Sequence, residues 1–272
     1  MPIRPVPIGP VRLGAGSPVY FLGPCVIESA RMLRETARRI ARVAEQAGVA
    51  WVLKASYDKA NRTSIRSFRG MDAAAGCALL AEVGAELGVP VMTDIHSPEE
   101  AEIAGHCIDV LQIPAFLCRQ TDLVVAAAET GRVVNVKKGP FLAPWDLGPI
   151  ADKIRSTGNR RFFFTERGTT FGYNNLVADM RSLAWIREAG HAVVFDATHS
   201  VQRPGGAGNS TSGDGALAPV LARAAMAAGC DGIFLETHPH PERAFSDGPN
   251  QIPLRRLGAL LRELEAIHDA LA

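Results

Sequence analysis

The sequence predicts a (β/α)8 barrel, a closed parallel sheet wrapped by helices, and three observations carry that prediction. Short apolar runs alternate with amphipathic stretches eight times along the chain. Each run is almost continuously apolar, the pattern of strands buried on both faces. The 272 residues also match the roughly 250 that such a barrel uses as a single unit. The reading is one domain over residues 1–272, with residues 1–18 as a short N-terminal extension.

The extension, MPIRPVPIGPV and onward, is punctuated by Pro and Gly, which suits a hairpin plugging the barrel's lower end. Val19 to Leu22 follows as the first strand and Ala30 to Gln46 as an amphipathic helix. The next pairs are Trp51 to Leu53 with Asp72 to Leu87, Val91 to Thr93 with Pro98 to Ala104, and Val110 to Gln112 with Thr121 to Thr130. Val133 to Val136 pairs with Leu147 to Ser156, and Phe162 to Thr165 with a helix over Leu176 to Glu188. Val193 to Phe195 with Leu217 to Ala227, then Ile233 to Leu235 with Leu254 to Ala270, complete the series. Two segments, Ser56 to Gly70 and Pro204 to Gly215, read as mobile active-site loops.

With 47% hydrophobic and 21% charged residues the chain has ample material for a core. Its 29 Lys+Arg against 28 Asp+Glu leave no global field to draw it to nucleic acid or an anionic membrane, so any anion site is local. Five scattered cysteines without CxxC spacing argue against a disulfide framework and for a reducing compartment. Neither a signal peptide nor a run long enough to span a bilayer is present, and a cytoplasmic protein is expected.

Active sites of these barrels lie at the C-terminal strand ends. There the chain offers Cys25, Lys54, Asp94, Gln112, Lys137 and Lys138, then Glu166 and Arg167, Asp196 and His199, and Glu236 and His238. Any one of these, taken singly, is equally a solvated strand end; together they sort into two chemical groups. Lys54, Lys59, Arg62, Lys137 and Arg167 are cations that repel one another unless anions separate them, which predicts a small polyanionic substrate. Cys25, His199, Glu236 and Asp247 mix thiolate, imidazole and carboxylate, a set suited to Zn, Fe(II), Mn or Co. From spacing alone the alternative is a buried inert cysteine and a structural histidine. Cys77, Cys107, Cys118 and Cys230 read as packing residues, and His238 and His240 as non-ligands.

Long ordered motifs run through the chain: GPCVIES from Gly23, KASYDKANRTSIRSFRG from Lys54, TDIH from Thr93 and QIPAFLCRQTDL from Gln112. NVKKGPFLAPWD from Asn135, TERGTTFGYNNLVADMRS from Thr165, DATHSVQ from Asp196 and ETHP from Glu236 follow. In these the chain resembles the 3-deoxy-D-manno-octulosonate 8-phosphate synthases, which condense phosphoenolpyruvate with D-arabinose 5-phosphate in lipopolysaccharide biosynthesis. The resemblance implies that Lys54, Lys59, Lys137 and Arg167, with Ser56 and Gln112, hold phosphoenolpyruvate. It implies that Asn61, Arg62 and Thr63 take the sugar phosphate, and that Arg119 reaches the site of a neighbouring subunit in a homotetramer. The family divides into an asparagine class and a metal-dependent cysteine class, and Cys25 implies the latter, with His199, Glu236 and Asp247 completing the metal site. Lys59, Asp94, Lys137 and His199 are the implied catalytic groups beside Cys25 and Asp247, with Asp94 and His199 as the further groups able to move protons. KANRTS at Lys59 to Ser64 separates this reading from the synthase that uses erythrose 4-phosphate, where a KPRTS-like sequence is expected. A silent barrel that senses a phosphorylated metabolite would lack one or more of these residues.

Overall fold

In the computed structural model, residues 3–62, 64–204 and 212–271 are described. Eight parallel strands run in sequence order: β1 (Val19–Gly23), β2 (Ala50–Lys54), β3 (Val91–Asp94), β4 (Val110–Ile113), β5 (Val133–Lys137), β6 (Phe162–Glu166), β7 (Val193–Asp196) and β8 (Gly232–His238). β7 pairs with β8 and β8 with β1, so the sheet closes and leaves no edge. The connecting helices are α1 (Ala30–Ala47), α2 (Ala73–Leu87), α3 (Pro98–Gly105), α4 (Thr121–Glu129), α5 (Leu147–Ser156), α6 (Arg181–Glu188), α7 (Ala218–Ala227) and α8 (Leu254–Asp269).

Side chains along a strand alternate between two cores, as a period of two requires. Tyr20 and Leu22 of β1 meet Leu33 and Ile40 of α1 in the layer between sheet and helices. Val19 and Phe21 face the interior with Val52, Met92, Val110, Phe163 and Phe234. The N-terminal hairpin, Val6–Ile8 against Val11–Leu13, drives buried Val6, Ile8 and Leu13 into this interior cluster and plugs the lower end. At the seam between β8 and β1 a side chain at position 232 would strike the Val19 carbonyl oxygen, so only glycine lets these strands pair. Local signals set the helix ends. Ser29, Asp72 and Ser97 accept from Met32, Ala75 and Glu100 backbone N–H groups, and Gly48 and Gly88 end α1 and α2 in the left-handed region.

The stretch expected to be one helix over Leu176 to Glu188 begins differently. Leu176–Val177 pairs antiparallel with Thr169–Thr170, and α6 starts only at Arg181. Asn174 turns the chain at φ 53° between those short strands, and Asp179 accepts from the Arg181 backbone N–H, a local bond that competes with helix propagation. In the loop after β7, Gln202–Arg203 pairs with Ser212–Gly213; residues 205–211 of the expected Pro204 to Gly215 loop lie outside the described residues.

Candidate active site

The strand ends converge on a cavity of about 840 Å³, whose lining includes Lys59, Asn61, Arg62, Asp94, Lys137, Arg167, His199 and Asp247. Beneath it Lys54 is buried, with Nζ 2.9 Å from Ser56 Oγ and 3.2 Å from Glu236 Oε1. Lys59 approaches from the β2 loop, 2.9 Å from the same Ser56 Oγ and 3.6 Å from Asp94 Oδ2. Burial works to lower the Lys59 pKa, but its anionic neighbours raise it further, so it stays a cation. Burial likewise works to raise Asp94, yet Lys54, Lys59 and Lys137 hold it well below the usual carboxylate range. Ser56 and Gln112 both donate to Asp94, and Asn135 Nδ2 donates to Gln112 Oε1 at 2.9 Å, so Gln112 is part of a polar layer under the cavity.

Lys137 Nζ sits 2.6 Å from Asp196 Oδ2 and 4.2 Å from the centre of the Phe234 ring. Burial depresses its pKa by more than the Asp196 carboxylate restores, with Lys54 adding to the depression. Asp196 also lies 2.7 Å from His199 Nδ1, which fixes the ring and leaves Nε2 facing Glu236 Oε2 at 3.5 Å. Such an arrangement favours a proton on Nδ1 and a free lone pair on Nε2. Arg62 bonds Phe68 O and Ser246 Oγ but leaves Nη2 buried without a partner; Arg167 bonds His199 O and Gln202 and leaves Nε the same way. Buried guanidinium nitrogens without partners, on the wall of a cavity, are suited to an anion.

Cys25, Glu236 and Asp247 bring ligand atoms within 4.8 Å of one another. Cys25 Sγ is 3.0 Å from Ser246 Oγ and 3.4 Å from Asp247 Oδ2. Burial, then the Glu236 carboxylate, push its thiol well above the ordinary value. Asp247 occupies the left-handed region at φ 49°, a strained conformation for a residue with a side chain. His199 stands beside this trio rather than within it, reaching it through Glu236.

Other expected residues fall elsewhere. Arg119 is exposed and does not line the cavity of its own chain; its backbone oxygen accepts from Lys153. Thr63 lies outside the described residues. Lys138 turns away to Leu142 O and Thr169 Oγ1, and His238 faces Glu28 at 3.6 Å. Asp196 is among the strand-end residues of the sequence but in neither of its two chemical groups, whereas Ser246 and Phe234 are not among them. Asp196 had a signal, three residues before His199 at a strand end; Ser246 and Phe234 had none.

The wall at His96 rests on Glu100, whose Oε2 accepts from the His96 backbone N–H at 2.7 Å and from Tyr57 Oη at 2.6 Å. Burial works to raise Glu100, but His96 and Tyr57 outweigh it and bring the pKa from 4.5 to about 2. A depressed carboxylate contributes stability that is complete above its unfolded pKa and is lost as pH falls through the folded one. The melting-temperature gap between the native chain and Glu100→Gln should therefore narrow from pH about 4.5 to about 2. A gap that does not change across that window would contradict the account.

Comparison with known proteins gives a consistent picture. The DAHP synthetase I family model matches residues 4–271. A protein of Nitratidesulfovibrio vulgaris (strain DP4) named 2-dehydro-3-deoxyphosphooctonate aldolase is 58% identical over 245 residues, 90% of each chain. Proteins of the same name from Geobacter sp. (strain M21) and Trichlorobacter lovleyi are 53% and 54% identical, over 97% and 96% of each chain. Among the described residues no helix is long and apolar enough to cross a membrane.

Proposed function

The chain belongs to the DAHP synthetase I family, and from that membership, its relatives' names and the site geometry we infer its reaction. It is a carbon–carbon bond-forming transferase that condenses phosphoenolpyruvate with D-arabinose 5-phosphate and water. The products are 3-deoxy-D-manno-octulosonate 8-phosphate, for lipopolysaccharide biosynthesis, and inorganic phosphate. The observation that carries the reading is a cavity walled by Lys59, Lys137, Arg62 and Arg167 that abuts the Cys25, Glu236 and Asp247 group.

In our reading Lys54, Lys59, Lys137 and Arg167, with Ser56 and Gln112 ordering the carboxylates around them, hold the phosphate and carboxylate of phosphoenolpyruvate. Asn61, Arg62 and Thr63 hold the sugar phosphate, so that C3 of the enol faces the aldehyde and bond formation becomes effectively unimolecular. As C3 bonds to the aldehyde carbon, its oxygen takes a proton; water adds at C2 and loses one; phosphate then leaves by C–O cleavage. Lys137, lowered by burial and 2.6 Å from Asp196, is equipped to give a proton. Asp94, held ionised by Lys54, Lys59 and Lys137, balances their charge and keeps them in place.

We place the chain in the metal-dependent cysteine class. A thiol, two carboxylates and a histidine whose Nε2 is left free by Asp196 suit Zn, Fe(II), Mn or Co. Without a cation the buried Cys25 resists ionisation, and a divalent ion reverses that logic. When bound, such an ion supplies Lewis acidity and lowers the pKa of its water. Oligomerisation as a homotetramer, with Arg119 serving a neighbour, is supported by exposed Trp145, Phe171 and Tyr173 in the loops after β5 and β6. Five free thiols suit a cytoplasmic setting.

Phosphate release from phosphoenolpyruvate should require arabinose 5-phosphate, stop on chelation and return with added divalent metal. Preference for erythrose 4-phosphate would overturn the substrate assignment, and undiminished activity after complete metal removal would overturn the metal's role.

A further inference from the structure

At the N-terminal ends of β6 and β7, away from the strand ends that carry the active site, a second cavity of about 150 Å³ is lined by Arg4, Arg155, Arg160 and His191. Three guanidinium groups arrive there from separate segments: the N-terminal extension, the end of α5 and the turn before β6. Arg155 has Asp152 at 3.2 Å, a pair largely in solvent. Arg4 and Arg160 have no carboxylate partner among the described residues. In a chain of net charge +1, this local excess of cations is out of proportion to the whole.

The second observation is independent of the arginines. His191 is 7% exposed, wedged between Phe162 and Phe164 at ring separations of 5.6 and 5.1 Å. Among the described residues neither ring nitrogen has a hydrogen-bond partner, although the residue borders the cavity. Neither nitrogen is among the fully buried atoms left without a partner, so the imidazole edge is open at the cavity, where a small polar ligand can reach it. Water would serve the imidazole but would not separate the guanidinium charges; an oxyanion does both.

We propose that this cavity binds one free tetrahedral oxyanion, inorganic phosphate or sulfate, held by Arg4, Arg155, Arg160 and the His191 imidazole. The size selects the bare ion over a phosphate ester, because 150 Å³ lies well below the roughly 300 Å³ at which pockets for larger organic ligands begin. Bound there, the ion ties the N-terminal extension to the turns that lead into β6 and β7, and so fastens the barrel's plug. Burial, then Arg155, lower His191 to about 4 against the opposing pull of Asp152. An anion among Arg4, Arg155 and Arg160 raises it again.

The test follows the His191 imidazole by NMR in the full chain at constant ionic strength. His191→Phe, which keeps a ring between Phe162 and Phe164, assigns the signal. Inorganic phosphate should shift that signal saturably, and sodium chloride should not. Arg160→Ala should weaken the phosphate effect roughly tenfold, the loss expected for one charge-assisted contact, with turnover unchanged. Glycerol phosphate should bind at least about tenfold more weakly than the bare ion. A His191 signal that ignores phosphate, moves equally with chloride, or titrates alike in Arg160→Ala would overturn the site. Equal binding of glycerol phosphate would overturn its selectivity for the free ion. Because the readout is local to His191, phosphate bound at the active site does not enter it.

Discussion

Cys25→Ala should be isolated without stoichiometric divalent metal and with turnover reduced by more than about a hundredfold, since even groups one shell removed from a metal cost 10–100-fold. The sulfur lies 3.4 Å from Asp247 Oδ2, in a trio of ligand atoms within 4.8 Å. Removing it leaves two carboxylates and His199, three donors in place of four, without the thiolate that suits Zn. Cys25→Asn keeps a polar group of similar size and should retain part of the activity with no bound metal. Metal content by plasma mass spectrometry, paired with phosphate release, separates the two variants. Full activity with stoichiometric metal in Cys25→Ala would refute the assignment.

Lys137→Ala should lose affinity for phosphoenolpyruvate and also fold less stably. The ammonium is buried, 2.6 Å from Asp196, and removing one partner of a buried pair typically costs about 3–5 kcal/mol because the other charge is left uncompensated. His199 shares that carboxylate at 2.7 Å, so its ring should be drawn harder toward Asp196. Titration calorimetry with phosphoenolpyruvate and denaturant unfolding read the two effects. An unchanged affinity would remove Lys137 from the substrate site, whatever the stability change.

The eight strands were legible because each is buried on both faces and therefore reads as an apolar run bounded by turn residues. Their ends then named most of the groups that gather at the cavity. What composition and periodicity could not convey depends on closure of the sheet. Asp196 meets Lys137 across two strands of the barrel, and Ser246 reaches both Cys25 and Arg62 from a loop more than 180 residues away. The hairpin over 169–177 was hidden because Leu176 and Val177 continue the apolar pattern of α6, while the turn at Asn174 rests on a backbone angle. Arg119 points to the same lesson at a larger scale: its expected role needs another copy of the chain.

Among the described residues the hairpin fills the lower end of the barrel, so the strand-end cavity is served from the upper end. A ligand against buried Lys137 sits deeper in the cavity than one at half-buried Arg62. Depth then separates the two ends of the cavity: what is held at the floor is more enclosed than what is held at the rim.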